Sequence, residues 1–291
     1  MNHDSVLHRQ SRRTHAAIAQ FHRWFQLYER PFGSDLVERQ LQLFADRFEI
    51  TTADGRIVVT RDAYREGVLA LDPALRHSHH AEFVTVEEVD AHRLRLCAGV
   101  RYQRADPSGA VAGVYVAYEA TLVGSADSEP RFSRLCMTPK SASAGLEFTD
   151  AYPRNRSLAF VHRWLSLVED PTQGGDHFDE LLAPDGEYDL HLGSASIRSR
   201  QEMAAWLHAA SLRVATSRHT VEEFRVVGVE GDRYTITMDF GWSGSAADGD
   251  PMAGRMHHEW ILEDTGERYC RIVSAQTTEV EPLVKTGAAH S

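Results

Sequence analysis

Three side chains have the residue types and surroundings for moving a proton without a cofactor. They are His219 in "SRHTVEEF", His258 in "RMHHEWIL" and Tyr188 in "GEYDLHL". Imidazole ordinarily titrates near neutrality, so it can act as a base in one step and as an acid in the next. A phenol nearby can donate a hydrogen bond to an oxygen that gains charge, as on an enolate. Strand alternation sets Met256, His258, Trp260 and Leu262 on one face, with His257 and Glu259 on the other. His258 then stands among large apolar groups, where desolvation keeps an imidazole neutral. The same pattern fits a core histidine satisfied by a backbone carbonyl, and both readings stay open. Tyr188 alternates inward with Leu190 and Leu192, which leaves Asp189 outward.

These groups need walls and a scaffold. In "YTITMDFGW", Tyr234, Ile236, Met238, Phe240 and Trp242 share one face, and Thr235, Thr237 and Asp239 the other. The apolar set should line a cavity. Met238, Phe240, Trp242 and Trp260, with Trp164 and Trp206 from helices, are the expected ligand-binding residues.

The scaffold is written twice. "FHRWFQLYERP" (21–31) and "VHRWLSLVEDP" (161–171) lie 140 residues apart and share six of eleven positions. Phe21, Trp24, Phe25 and Tyr28 fall at helical spacing, as do Val161, Trp164, Leu165 and Val168. His22 and Glu29 are seven apart, as are His162 and Glu169. At about 1.5 Å rise per residue that is roughly 10 Å, too far for a direct pair. The prolines that follow should end each helix. The likeness continues downstream, as a duplicated unit requires and a short motif does not. "LFADRFEI" faces "LLAPDGEYDL", and "TRDAYREGVLAL" faces "SRQEMAAWLHAA". "HSHHAEFVTVEEVDAHRLRL" faces "SRHTVEEFRVVGVEGDRYTI". Each copy reads α-α-β-α-β-β-β-β, helices first and long hairpins after, an α+β pattern with a curved antiparallel sheet. The boundaries are residues 15–138 and 157–284, joined by a small, polar linker at 139–156.

This order of elements, with "SRH" and "EGDRYTITMDF", resembles the nuclear transport factor 2-like superfamily, and its SnoaL-like group most. The resemblance implies two tandem cone-shaped domains packed as an intrachain pseudo-dimer. It also implies a small hydrophobic or polycyclic ligand and no cofactor. Ketosteroid isomerases of that superfamily place a carboxylate base where this chain has Thr52 and Leu190. Its epoxide hydrolases pair inward carboxylates, and here Glu119 is the sole candidate in the first copy. Scytalone dehydratase-like members use Tyr and His, which Tyr188, His219 and His258 match in type. The expected activity is therefore a cofactor-free lyase, isomerase or cyclase with its site in the second copy. The alternative is a non-catalytic ligand-binding or scaffold protein.

The first copy offers Val116, Ala117 and Tyr118 near the place of His258, and Ser78 or His79 at that of His219. His77 and His79, spaced i and i+2 on one face, resemble half of a metal site, but no third ligand is evident. The net charge of −11 argues against a nucleic-acid partner, which needs clustered cations. No apolar run approaches the roughly 20 residues a membrane helix needs. Three cysteines, Cys97, Cys136 and Cys270, suit a reducing, cytoplasmic setting. A monomer with an internal pseudo-dimer is expected, with a homodimer as the alternative.

Overall fold

A computed structural model describes residues 3–30, 33–125, 128–143, 147–169 and 175–285. Pro31 and Pro171, the expected helix stops, lie outside the described residues. The chain divides into two compact units. The N-terminal unit is Ala16–Ala159; the C-terminal unit is Phe160–Ser291 together with Met1–His15.

Helices α1 (His3–Gln26) and α2 (Ser34–Leu41) precede β1 (Phe44–Thr51), β2 (Ile57–Val58) and helix α3 (Arg61–Leu69). Four long strands follow: β3 (Arg76–Asp90), β4 (Arg93–Ala105), β5 (Val111–Val123) and β6 (Arg131–Ser143). The second series is α4 (Tyr152–Val168), a 3-10 turn at Gly175–Phe178, β7 (Asp189–Leu192), β8 (Ala195–Ile197) and α5 (Arg200–Ser211). It ends with β9 (Val214–Glu230), β10 (Arg233–Ala246), β11 (Pro251–Glu263) and β12 (Arg271–Lys285). The sheets have matching orders, β2-β1-β6-β5-β4-β3 and β8-β7-β12-β11-β10-β9. The protein is α+β, with one mixed sheet in each unit.

Three features differ from the sequence reading. Each sheet contains one parallel pair, β1 with β6 and β7 with β12, where an all-antiparallel sheet was expected. The long excursion between these strands permits the parallel return. Strands β2 and β8 form small hairpins with β1 and β7; runs this short carry no readable period. The second helix expected in the second copy is only a 3-10 turn at Gly175–Phe178.

The local signals for the remaining elements hold. Thr60 and Ser199 cap α3 and α5, each side chain accepting the N–H three residues on at 3.2 Å. On β10, Tyr234, Ile236, Met238 and Phe240 are buried while Thr235, Thr237 and Asp239 are half-buried. Bulges at Ala81/Phe83 and between Glu222 and Arg225, where Glu223 has φ 50°, interrupt β3 and β9. Such bulges bend a long strand and let the sheet wrap round its helix.

Trp24 of α1 and Trp164 of α4 anchor the two cores. Trp24 packs edge-on to Tyr118 at 6.0 Å, and Trp164 edge-on to Trp260 at 5.5 Å. Among the described residues no helix is long and apolar enough to cross a membrane.

Candidate functional site

The C-terminal unit holds a cavity of about 290 Å³ between its helices and the concave face of its sheet. Trp164, Trp206, Phe240, Trp242 and Trp260 form its apolar walls, and His219 and His258 are its two imidazoles. Two expected site residues are not in the lining. Met238 is fully buried on the same strand face, but β10 meets the cavity only at Phe240 and Trp242. Tyr188 is buried at the foot of β7, and its hydroxyl donates to Asp185 Oδ1 at 3.4 Å. Burial, with help from the Asp185 charge, raises that phenol to about 12. The chain around β7 reaches the cavity through Leu192 and Gly193 instead.

His258 on β11 pairs with Met238 on β10, and its ring is 4.3 Å from that of Phe240. Its Nδ1 is 3.3 Å from Thr277 Oγ1. Burial pushes its pKa down to about 3, with smaller contributions from the charges of His219 and His257. His258 is therefore neutral at pH 7.

His219 is held by a carboxylate. Its backbone N–H donates to Glu169 Oε1 at 2.5 Å, and its Nδ1 lies 3.2 Å from the same oxygen. Glu169 accepts only, so Nδ1 carries the proton and Nε2 is left as an acceptor. His15 completes the group: its Nε2 is 3.1 Å from the His219 carbonyl and 3.5 Å from Glu169 Oε1, and its Nδ1 is 2.8 Å from His162 Nδ1. Glu169 has no exposed surface. Burial alone would raise its pKa, but the hydrogen bonds and charges of His15 and His219 prevail and hold it down to about 2. A buried carboxylate without such partners would cost several kcal/mol.

The N-terminal unit repeats this arrangement 140 positions earlier. Glu29 Oε1 accepts the His79 N–H at 2.7 Å and lies 3.3 Å from His79 Nδ1. Asn155 takes the part of His15, donating to Glu29 at 2.9 Å and to the His79 carbonyl at 2.9 Å. Its Oδ1 accepts from His22 Nδ1 at 2.9 Å. His22 and Glu29 make no direct pair; Asn155 joins them. Burial pushes His22 down to about 4.

The N-terminal cavity measures about 310 Å³ and is lined by His77, His79, Tyr28, Tyr64, Tyr102 and Tyr118 among others. The β4–β5 register pairs Tyr118 with Ala98, as β10–β11 pairs His258 with Met238, so a phenol stands in the place of that imidazole. His77 is bonded to the Tyr102 hydroxyl at 2.7 Å and His79 to Glu29. Among the described residues no three His, Cys, Asp or Glu side chains are grouped to hold a metal ion. Glu119 is exposed on the outer face, and Asp239, also outward, bonds His257 Nδ1 at 2.7 Å.

Solved structures with this arrangement of helices and sheet each match about half of the chain. One is a Salmonella enterica nuclear transport factor 2-like superfamily protein, at 15% identity and TM-score 0.37, covering 45% of this chain and 92% of that one. The chain is similar to nuclear transport factor 2-like proteins. A hexachlorocyclohexane dehydrochlorinase from Novosphingobium barchaimii matches at 14% identity and TM-score 0.39, over 46% of this chain and 92% of the other. A Novosphingobium aromaticivorans protein, with a suggested aromatic ring hydroxylase activity, matches at 14% identity and TM-score 0.43, over 48% and 96%. At these identities the likeness is one of fold. No family model and no curated protein matches the sequence.

Within these two units, the sequence reading singled out His219 and His258, which both line one cavity, and missed what holds them. Glu169, His15 and Thr277 carried no local signal as site residues. The constant 140-residue offset of His79/His219 and Glu29/Glu169 was the available sign.

Proposed function

We propose that the C-terminal cavity binds a small, neutral, apolar or polycyclic molecule and moves a proton on it without a cofactor. The observation that carries this reading is the His219 ring, fixed through Nδ1 by a buried carboxylate and lining the same cavity as His258. His219 Nε2 takes a proton from a carbon beside a carbonyl group. The imidazolium that forms is stabilised by Glu169, 3.2 Å from Nδ1. His258, neutral and with Nδ1 facing the Thr277 hydroxyl, donates from Nε2–H to the carbonyl oxygen as it becomes an enolate. Return of the proton at another carbon is isomerisation; departure of a leaving group beside the enolate is elimination. Tyr188 has no part, since its hydroxyl is used by Asp185.

The test is solvent exchange. Bicyclic ketones such as 2-tetralone, incubated with the protein in D2O, should take up deuterium beside the carbonyl faster than in buffer. His219→Ala should lower that rate about 100-fold or more, the usual contribution of a general base. Equal exchange by the wild type, the variant and buffer would assign the cavity to ligand carriage without catalysis.

A further inference from the structure

The N-terminal cavity differs from its counterpart in the groups it offers a ligand. Tyr118 is 4% exposed and lines the cavity, yet its hydroxyl makes no hydrogen bond among the described residues. Burial, then the nearby Tyr28 and Tyr102, raise its pKa, so it stays protonated and can donate. The other phenols are occupied: Tyr64 donates to Gln40 Oε1 at 3.0 Å, its oxygen lies 2.6 Å from that of Tyr28, and Tyr102 bonds His77.

The second difference is a cation. Arg56 is exposed, lines the same cavity, and acts electrostatically on Tyr28. Its guanidinium forms no ion pair or hydrogen bond among the described residues. Asp54 accepts the Thr52 hydroxyl and the Arg56 backbone N–H, and the Arg56 charge acts on it only as a minor electrostatic influence. Gly67 makes room for the guanidinium, because a Cβ there would stand 3.2 Å from Arg56 Nη2. Counted from the caps Thr60 and Ser199, the position of Gly67 is that of Trp206, which lines the other cavity. The C-terminal cavity also has an arginine, Arg255, but carboxylates of Glu222, Asp239 and Glu281 surround it within 4 Å.

We propose that the N-terminal cavity is a second ligand site, selective for a ring compound bearing an acidic oxygen such as a carboxylate, phenolate or enolate. The ring lies against Trp24 and the phenols, the oxygen accepts the Tyr118 hydroxyl, and Arg56 balances its charge. One chain then carries two sites of different selectivity, anionic in the N-terminal unit and neutral in the C-terminal one. The inference stands whether or not the C-terminal cavity performs proton transfer.

Fluorine NMR on the full chain labelled with 5-fluorotryptophan separates the sites, since Trp24 is the sole tryptophan of residues 16–159 and the other four line the C-terminal cavity. The probes are 2-naphthoate and the neutral 2-acetylnaphthalene. Naphthoate should move the Trp24 resonance saturably. Arg56→Gln and Tyr118→Phe should each weaken that binding about tenfold and leave the response of the other four resonances to acetylnaphthalene unchanged. The dispersion of those four resonances reports that each variant is folded. The proposal is overturned if millimolar naphthoate leaves Trp24 unmoved, if it moves only the other four resonances, or if the Trp24 response is the same in both variants.

Discussion

Glu169 and His219 are joined twice, through the backbone N–H at 2.5 Å and the ring Nδ1 at 3.2 Å, both to the same carboxylate oxygen. Glu29 and His79 repeat the pair at 2.7 and 3.3 Å. One buried oxygen thus fixes the course of a strand and the orientation of the imidazole on it. The carboxylate follows the first helix of each copy, Glu29 three residues after α1 and Glu169 one residue after α4, within the duplicated stretch.

Glu169→Gln keeps the shape and removes the charge, and its amide nitrogen cannot accept from His219. Loss of charge-assisted bonds to a buried acceptor should lower the stability by about 1.5–3 kcal/mol in urea denaturation. The same variant should lower ketone exchange at least tenfold, since the His219 tautomer is no longer held. Glu230→Gln, on the exposed end of β9, should change neither.

Asn155 is 1% exposed and connects His22, Glu29 and the His79 carbonyl. Asn155→Leu leaves those groups buried without partners and should destabilise the protein by about 3 kcal/mol or more. Asn155→His should cost about 1 kcal/mol or less, because His15 fills the equivalent place against Glu169. Similar losses from both variants would show that the two networks are not interchangeable.

The pH dependence of stability follows from His258. Its pKa is about 6.5 unfolded and about 3 folded, so the unfolded chain binds the extra proton first as the pH falls. The contribution is complete above about pH 6.5 and is lost on descending towards 3. His22 and His77, each lowered to about 4 by burial, act in the same direction. His258→Gln should reduce the slope of stability between pH 6 and 4.5 by up to about 1.4 kcal/mol per pH unit. Glu169, lowered from 4.5 to about 2, contributes its loss below that window. Denaturation midpoints of the two proteins at several pH values make the comparison; parallel curves would show that His258 is not buried.

The duplication, the fold class and the inward face of His258 could be read from the sequence because they depend on local periodicity and on likeness between copies. The pairing of His219 with Glu169 could not: the partners are 50 residues apart, and His15 lies 204 residues from the carbonyl it meets. Contacts at such separation leave no periodic trace. For Tyr188, strand alternation and likeness in residue type give the face but not the depth, and Asp185 three residues earlier takes its hydroxyl. The parallel pairing of β1 with β6 and β7 with β12 is hidden for a related reason, since strands of four to eight residues fix neither direction nor partner.

Nitrogen-15 NMR of the histidine rings at pH 7 tests most directly whether His219 is a base and His258 a neutral donor. The expected result is a His219 ring protonated on Nδ1 with a bare Nε2, and a His258 ring protonated on Nε2 that stays neutral down to about pH 4. A His219 proton on Nε2, or a His258 that becomes imidazolium above pH 5, would contradict it.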